Sequence, residues 1–310
     1  MNITYIEPLS RAWNRMKTSL FVPFDLHKWL VVGFSAFLAG LADGGRGSGT
    51  ARWSGRHGFR EFLDFPNKAW DWLVSHPVWF IAIIFAGLCA VIIGITLLWL
   101  SSRGKFMFLD NVVHNKAEIA KPWREFHREG NSLFLWRLVF GLIVLVLLFG
   151  FAVFFFMTAS ALFAGSSDSR LPLVFIVGMG FLFLFVFVVI GYISLFLNDF
   201  VTPIMYKNNI PATQAWGRFL SLFERHFFYF IIYGLLVFGL MIGFVIVVVI
   251  AGLATCCIGW LLLVIPYIGT VITLPFWYTL RAFSLEFLGQ FGPAYELFPP
   301  SGGSAEPAQP

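Results

Sequence analysis

Charge is scarce in this chain. Asp, Glu, Lys and Arg make up 12% of 310 residues, against about a quarter in an ordinary soluble domain. With 59% hydrophobic and 19% aromatic residues, a water-soluble fold has nowhere to bury its apolar surface. Cysteine is scarcer still, at three. Cys89 sits inside an apolar run, and the neighbours Cys256 and Cys257 can close only a strained vicinal bridge, so a disulfide framework is excluded. Ionisable residues are also missing from the centres of the apolar runs. That absence disfavours ion coupling and catalysis within the membrane, both of which need polar groups at depth.

The chemistry-bearing patterns fail one by one. The histidines His27, His57, His76, His114, His127 and His226 are dispersed and lack the i, i+4 pairing of a helical zinc site. Gly45, Arg46, Gly47, Ser48, Gly49 and Thr50 have the look of a phosphate cradle but lack its Gly-Lys-Ser/Thr ending. Asn198, Asp199 and Pro203, with Arg281 and Glu286, come nearest to a polar cluster; capping or ion pairing is the expected role, since they fall at the ends of apolar runs. No catalytic, cofactor-binding or metal-ligating residue is assigned.

What the chain has is long apolar runs. A hydrocarbon core about 30 Å thick takes about 20 residues of helix, and five runs meet that length: 78–100, 133–164, 172–197, 227–254 and 258–280. A sixth, 29–42, reaches only about 21 Å at helical rise and must recruit flanking residues or thin the bilayer. Arg137 lies about a turn into its run, where its stem can snorkel to the headgroups. Pro266, Gly269 and Pro275 predict a kink or unwound stretch in the last run. A cleaved signal peptide is not expected, because the first apolar stretch begins near Trp29.

The basic residues orient the set. With the N-terminus inside, the cytoplasmic connections carry Arg11, Arg15, Lys17, Lys28, Arg103, Lys105, Lys116, Lys121, Arg124, Arg128, Lys207, Arg218, Arg225 and Arg281. The opposite side carries Arg46, Arg52, Arg56, Arg60, Lys68 and Arg170. The imbalance places both termini in the cytoplasm. These cations are scattered through connections rather than gathered on one domain, so nucleic acid is not an expected partner.

A repeat runs through the chain. Trp123, Phe126 and Phe134 match Trp216, Phe219 and Phe227 at the same spacing, and Trp13, Met16 and Phe24 match more weakly. Each Trp opens a stretch with basic residues on one side and apolar residues on the other, as in a helix lying in the headgroup plane. The fold class read from this is all-α integral membrane: about six transmembrane helices arranged as three hairpins, each preceded by a cytoplasmic interfacial amphipathic helix. The organisation is an N-terminal interfacial segment 1–28 and a six-helix domain 29–288, which carries an external Gly-rich loop and amphipathic segment at 43–77. A C-terminal segment 289–310 ends in a disordered tail. Ala82, Ala86, Ala90 and Gly94 form a small-residue stripe, and Gly239 and Gly243 a second pair. Such faces let helices approach closely, within the monomer or between copies.

The stretches 104–134 and 198–216, the Asp-Phe-Val-Thr-Pro run from Asp199 to Pro203, and the Pro23, Phe24, Asp25 stretch resemble an uncharacterised bacterial family of polytopic membrane proteins. That family is distantly similar to the membrane domain attached to some glycerophosphodiester phosphodiesterases. The phosphodiesterase catalytic domain is absent, so the resemblance implies an inner-membrane location and carries over no active residues. The expected function is a non-catalytic membrane scaffold or accessory protein. The alternative is a transporter or lipid-handling protein for a neutral or lipidic substrate. Expected partners are membrane lipids and a membrane-protein partner or second copy; no cofactor is expected.

Overall fold

A computed structural model describes residues 3–43, 69–165, 170–255 and 258–298. The Gly-rich loop at 44–58, most of the amphipathic segment after it, Cys256 and Cys257, and the tail from 299 lie outside the described residues. The described chain is helical, with no strand. Its elements are α1 (Ile6–Phe21), α2 (Leu26–Gly40), α3 (Pro77–His114), α4 (Ala120–Glu125), α5 (His127–Gly165) and α6 (Arg170–Phe196). A π-helical segment, Leu197–Val201, leads into α7 (Thr202–Asn208), followed by α8 (Ala212–Ala254), α9 (Ile258–Val264), α10 (Pro266–Ile272) and α11 (Leu274–Gly289).

Local chemistry sets several boundaries. Asp25 caps α2 by accepting a hydrogen bond from the His27 amide at 2.8 Å, which satisfies an end donor that the helix itself leaves open. Asn115 and Asn209, both at positive φ, stop α3 and α7 in the left-handed conformation that Asn tolerates. In α1 the buried residues Pro8, Ala12, Met16, Ser19 and Leu20 recur at the helical period, and this stripe packs along α11.

Among the described residues, four helices are long and apolar enough to cross a membrane: Pro77–His114, His127–Ala161, Val174–Asn208 and Ala212–Ala254. None of the most apolar stretch of the first two is buried within the chain. α2 is shorter, and the last apolar run is broken twice, at extended Ile265 before Pro266 and at Thr273 before Pro275. The expected break around Pro266 and Gly269 is therefore present. Gly269 also has a packing reason: a Cβ there would stand 2.5 Å from the Leu263 carbonyl oxygen.

The chain divides into two compact units, residues 1–43, 99–134 and 195–310, and residues 44–98 and 135–194. The first holds an aromatic core. Phe200 packs with Phe219, Phe230, Tyr233 and Phe287, with ring centroids 4.9 to 6.0 Å apart. Within it, α8 and the α9–α11 run lie side by side in opposite senses, since Tyr233 stacks on Phe283 and Phe244 on Phe276. α2 follows the end of α3 and the residue after it, 101–115: Ser101 donates to the Ala39 carbonyl, Asn111 to Ser35 and Lys28 to Asn115. Gly104 makes this approach possible, because a Cβ there would meet Leu38 Cβ at 2.6 Å and Ala39 N at 2.7 Å.

The second unit is apolar outward. Val78, Ile81 and Phe85 on α3, Leu142 and Val146 on α5, and Phe181 and Phe185 on α6 are exposed. Among its described residues Ala159 and Met179 are buried. Helical backbone with satisfied hydrogen bonds and apolar side chains facing out is what a lipid solvent requires. The stripe Ala82, Ala86, Ala90 and Gly94 is exposed along its length, and a Cβ at Gly94, Gly239 or Gly243 would meet nothing within 4 Å.

The three aromatic triplets share one feature. Their middle members Met16, Phe126 and Phe219 are all buried, while Trp13 is exposed and Trp123 and Trp216 are half-buried. Each amphipathic stretch also ends at a backbone break before the apolar run: residues 22–25 between α1 and α2, Phe126 between α4 and α5, and His226 within α8 at φ −132°, ψ 31°.

Candidate functional site

The polar chemistry of the first unit gathers around the π segment. Thr202 bonds through its amide to the Leu197 carbonyl, five residues back, instead of to Asn198, and its hydroxyl donates to the same Leu197 carbonyl at 2.8 Å. Pro203 has no amide hydrogen to return to Asp199. The widened turn thereby releases the Asn198 carbonyl from the helix ladder. Arg281 takes it, donating from Nη1 at 2.6 Å.

Two cations and two carboxylates surround this turn. Lys105, 3% exposed, donates to Asp43 Oδ2 at 2.7 Å and Oδ1 at 3.0 Å and also to the Asn198 side chain. Asp199 accepts from the Tyr233 hydroxyl at 2.9 Å and lies within electrostatic reach of Arg281, Lys105 and Asp43. Arg281 is 8% exposed and Tyr233 fully buried. The set is neutral when all four ionise, which is how buried charge is tolerated. Arg281 Nε is buried and has no partner among the described residues.

Asn198, Asp199 and Arg281 are thus brought together, as their positions at the ends of apolar runs suggest. Glu286 goes elsewhere: it pairs with Arg15 at 2.6 Å and Arg11 at 3.4 Å and so fastens α1 to α11. Pro203 acts on the backbone. Sequence reasoning missed Lys105, Asp43 and Tyr233. Lys105 reads as a topology signal and Asp43 as part of an external loop, and their partners lie far away along the chain.

Of the histidines, His114 pairs with Asp110 at 3.0 Å, beside Tyr206, which donates to the same Asp110 oxygen at 2.6 Å. His76 stacks on Trp72, and His226 packs against Phe291 at the α8 break. His57 and the Gly45–Thr50 run lie outside the described residues. Among the described residues no group of His, Cys, Asp and Glu is placed to hold a metal ion. Two buried serine hydroxyls near the site are turned to the main chain: Ser101 donates to the Ala39 carbonyl and Ser284 to that of Arg281. Chemically, the arrangement fixes helix ends and balances charge.

The model of a family of unknown function, DUF7544, matches residues 3–292. The chain belongs to that family. The match takes in the α1 clamp, the π segment and every residue of the polar core, so family membership covers the site as well as the fold. No curated protein and no solved structure matches the chain.

Proposed function

We propose that this chain is a non-catalytic multi-pass membrane protein, acting as a scaffold or accessory component of a bacterial inner membrane. The observation that carries the reading is the internal pairing of its polar core. Lys105 is held by Asp43 and Asn198, Asp199 by Tyr233, Arg281 by the Asn198 carbonyl, and Glu286 by Arg11 and Arg15. Charges engaged in this way hold a fold together instead of waiting for a substrate. The proposal includes membrane lipids and a membrane-protein partner or second copy as partners. It also includes the distant likeness to the membrane domain of glycerophosphodiester phosphodiesterases.

The proposed topology is two hairpins, 133–197 and 227–280, entering from the cytoplasm, with both termini cytoplasmic. Its support is the distribution of basic residues and, for the second hairpin, the side-by-side course of α8 and α9–α11. A first hairpin of 29–42 with 78–100 is not part of the proposal: α2 follows 101–115, and Asp43 beyond its end pairs with Lys105, which a crossing by α2 would place on the opposite side.

The test is a photoreactive residue at Ala86, on the exposed stripe, activated in native membranes. A discrete adduct with another protein or a second copy is expected; labelling of lipid alone overturns the scaffold reading. A transporter or lipid-handling role is favoured by one pair of observations, the unpartnered Arg281 Nε and the double break of the last apolar run. It predicts substrate-dependent protection of a cysteine placed at Thr270.

A further inference from the structure

Arg103 lies one turn past Leu100, where the apolar run 78–100 ends, on the unbroken helix α3. Asn131 lies two residues before Leu133, where the apolar run 133–164 of α5 begins. The two are joined: Asn131 Oδ1 accepts from Arg103 Nε at 3.3 Å and Nη2 at 3.1 Å, and from Trp99 Nε1 at 3.2 Å. Two membrane helices therefore place this group at the same level, within a turn of where each leaves hydrocarbon. Trp is the residue that collects at that level.

The guanidinium is held in a fixed pose. Its carbon sits 4.4 Å from the Trp99 ring centroid and 5.2 Å from that of Trp123, and the two indoles meet edge to face at 5.9 Å. Gly130 leaves room for the stem, because a Cβ there would stand 2.9 Å from Arg103 Cγ. Of the five N–H donors of a guanidinium, two go to Asn131. The other three have no partner among the described residues, and no described carboxylate pairs with Arg103. Asp43, Asp110 and Glu286 are each engaged with other groups.

A half-buried, preorganised cation with no carboxylate partner among the described residues is open to a counter-ion from outside the protein. At the edge of the hydrocarbon the abundant anion is the lipid phosphate, and a planar fork of N–H groups fits phosphate oxygens two at a time. Lys121, Arg124 and Arg128, exposed on α4 and α5, add positive charge along the neighbouring turns, with Glu125 and Glu129 offsetting part of it. We propose that Arg103, backed by Trp99 and Trp123 and positioned by Asn131, binds the headgroup phosphate of an anionic phospholipid. The site holds equally for a scaffold or a transporter, since it depends only on the helices being in a membrane.

The experiment uses the full chain in detergent. Lipids retained are counted by native mass spectrometry, and the thermal unfolding midpoint is followed as phosphatidylglycerol or phosphatidylcholine is added. Phosphatidylglycerol is expected to be retained and to raise the midpoint. Arg103→Lys keeps charge and stem but loses the fork, and is expected to weaken retention about tenfold. Arg103→Ala is expected to abolish retention, and Arg124→Ala to leave it largely intact. Equal retention by wild type and a folded Arg103→Lys protein overturns the proposal. So does equal stabilisation of the wild type by phosphatidylcholine, which means that the net charge of the lipid is not read.

Discussion

Tyr233, in the middle of α8, donates its hydroxyl hydrogen to Asp199 Oδ2 at 2.9 Å, across 34 residues of sequence. The bond ties the π segment to the helix that follows it. It also gives a buried carboxylate a neutral donor while the charges of Arg281 and Lys105 lie within electrostatic reach. Tyr233→Phe removes that donor and leaves the ring in its place against Phe283 and Phe287. A loss of about 1–3 kcal/mol is expected, the cost of a buried acceptor left short of a partner. It is read as a lower unfolding midpoint in detergent; an unchanged midpoint shows that the bond contributes nothing.

Gly104 and Gly94 make an internal comparison on one helix. Gly104→Ala puts a Cβ against the backbone of Ala39 and the side chain of Leu38, so α2 must move. A cost of about 1–3 kcal/mol is expected for such overpacking. Gly94→Ala meets open space and is expected to be neutral, or to stabilise by about 0.5–1 kcal/mol through helix propensity. A loss at Gly94 measured in membranes but not in dilute detergent marks that face as a contact between chains.

Glu286 is the clasp between the first and last helices, with Arg15 also lying over the Phe298 ring at 3.8 Å. Glu286→Gln removes the carboxylate charge that holds two arginines. Since both arginines are substantially exposed, the stability loss is expected to be about 1 kcal/mol. The sharper readout is limited trypsin digestion at Arg11 and Arg15, which is expected to speed up while cleavage elsewhere is unchanged. Equal cleavage rates contradict the clasp.

Much of this architecture is legible in the sequence because lipid imposes long uninterrupted runs, and four of them appear as helices long enough to cross. The breaks near Pro266 and Pro275 are legible because proline removes a donor whatever its surroundings. The polar core is only half legible. Asn198, Asp199 and Arg281 share it, but Glu286, five residues after Arg281, points about 140° away around α11 and meets α1 instead. Lys105 and Asp43 are hidden because they meet each other across 62 residues. Nothing in a single lysine after an apolar run distinguishes a topology signal from a buried ion pair. The π segment has one local cue, Pro203, and that cue becomes specific only once Arg281 is seen on the released carbonyl.

The measurement closest to the central claim is a double-substitution cycle on Asp199→Asn and Arg281→Gln, followed by unfolding midpoint in one detergent. If these groups hold the fold together, each single change lowers the midpoint. The double change then costs less than the sum, with a coupling of about 0.5–3 kcal/mol. If either single change raises the midpoint, the core is carrying strain of the kind kept for function. The scaffold reading then gives way to a site that binds or transports.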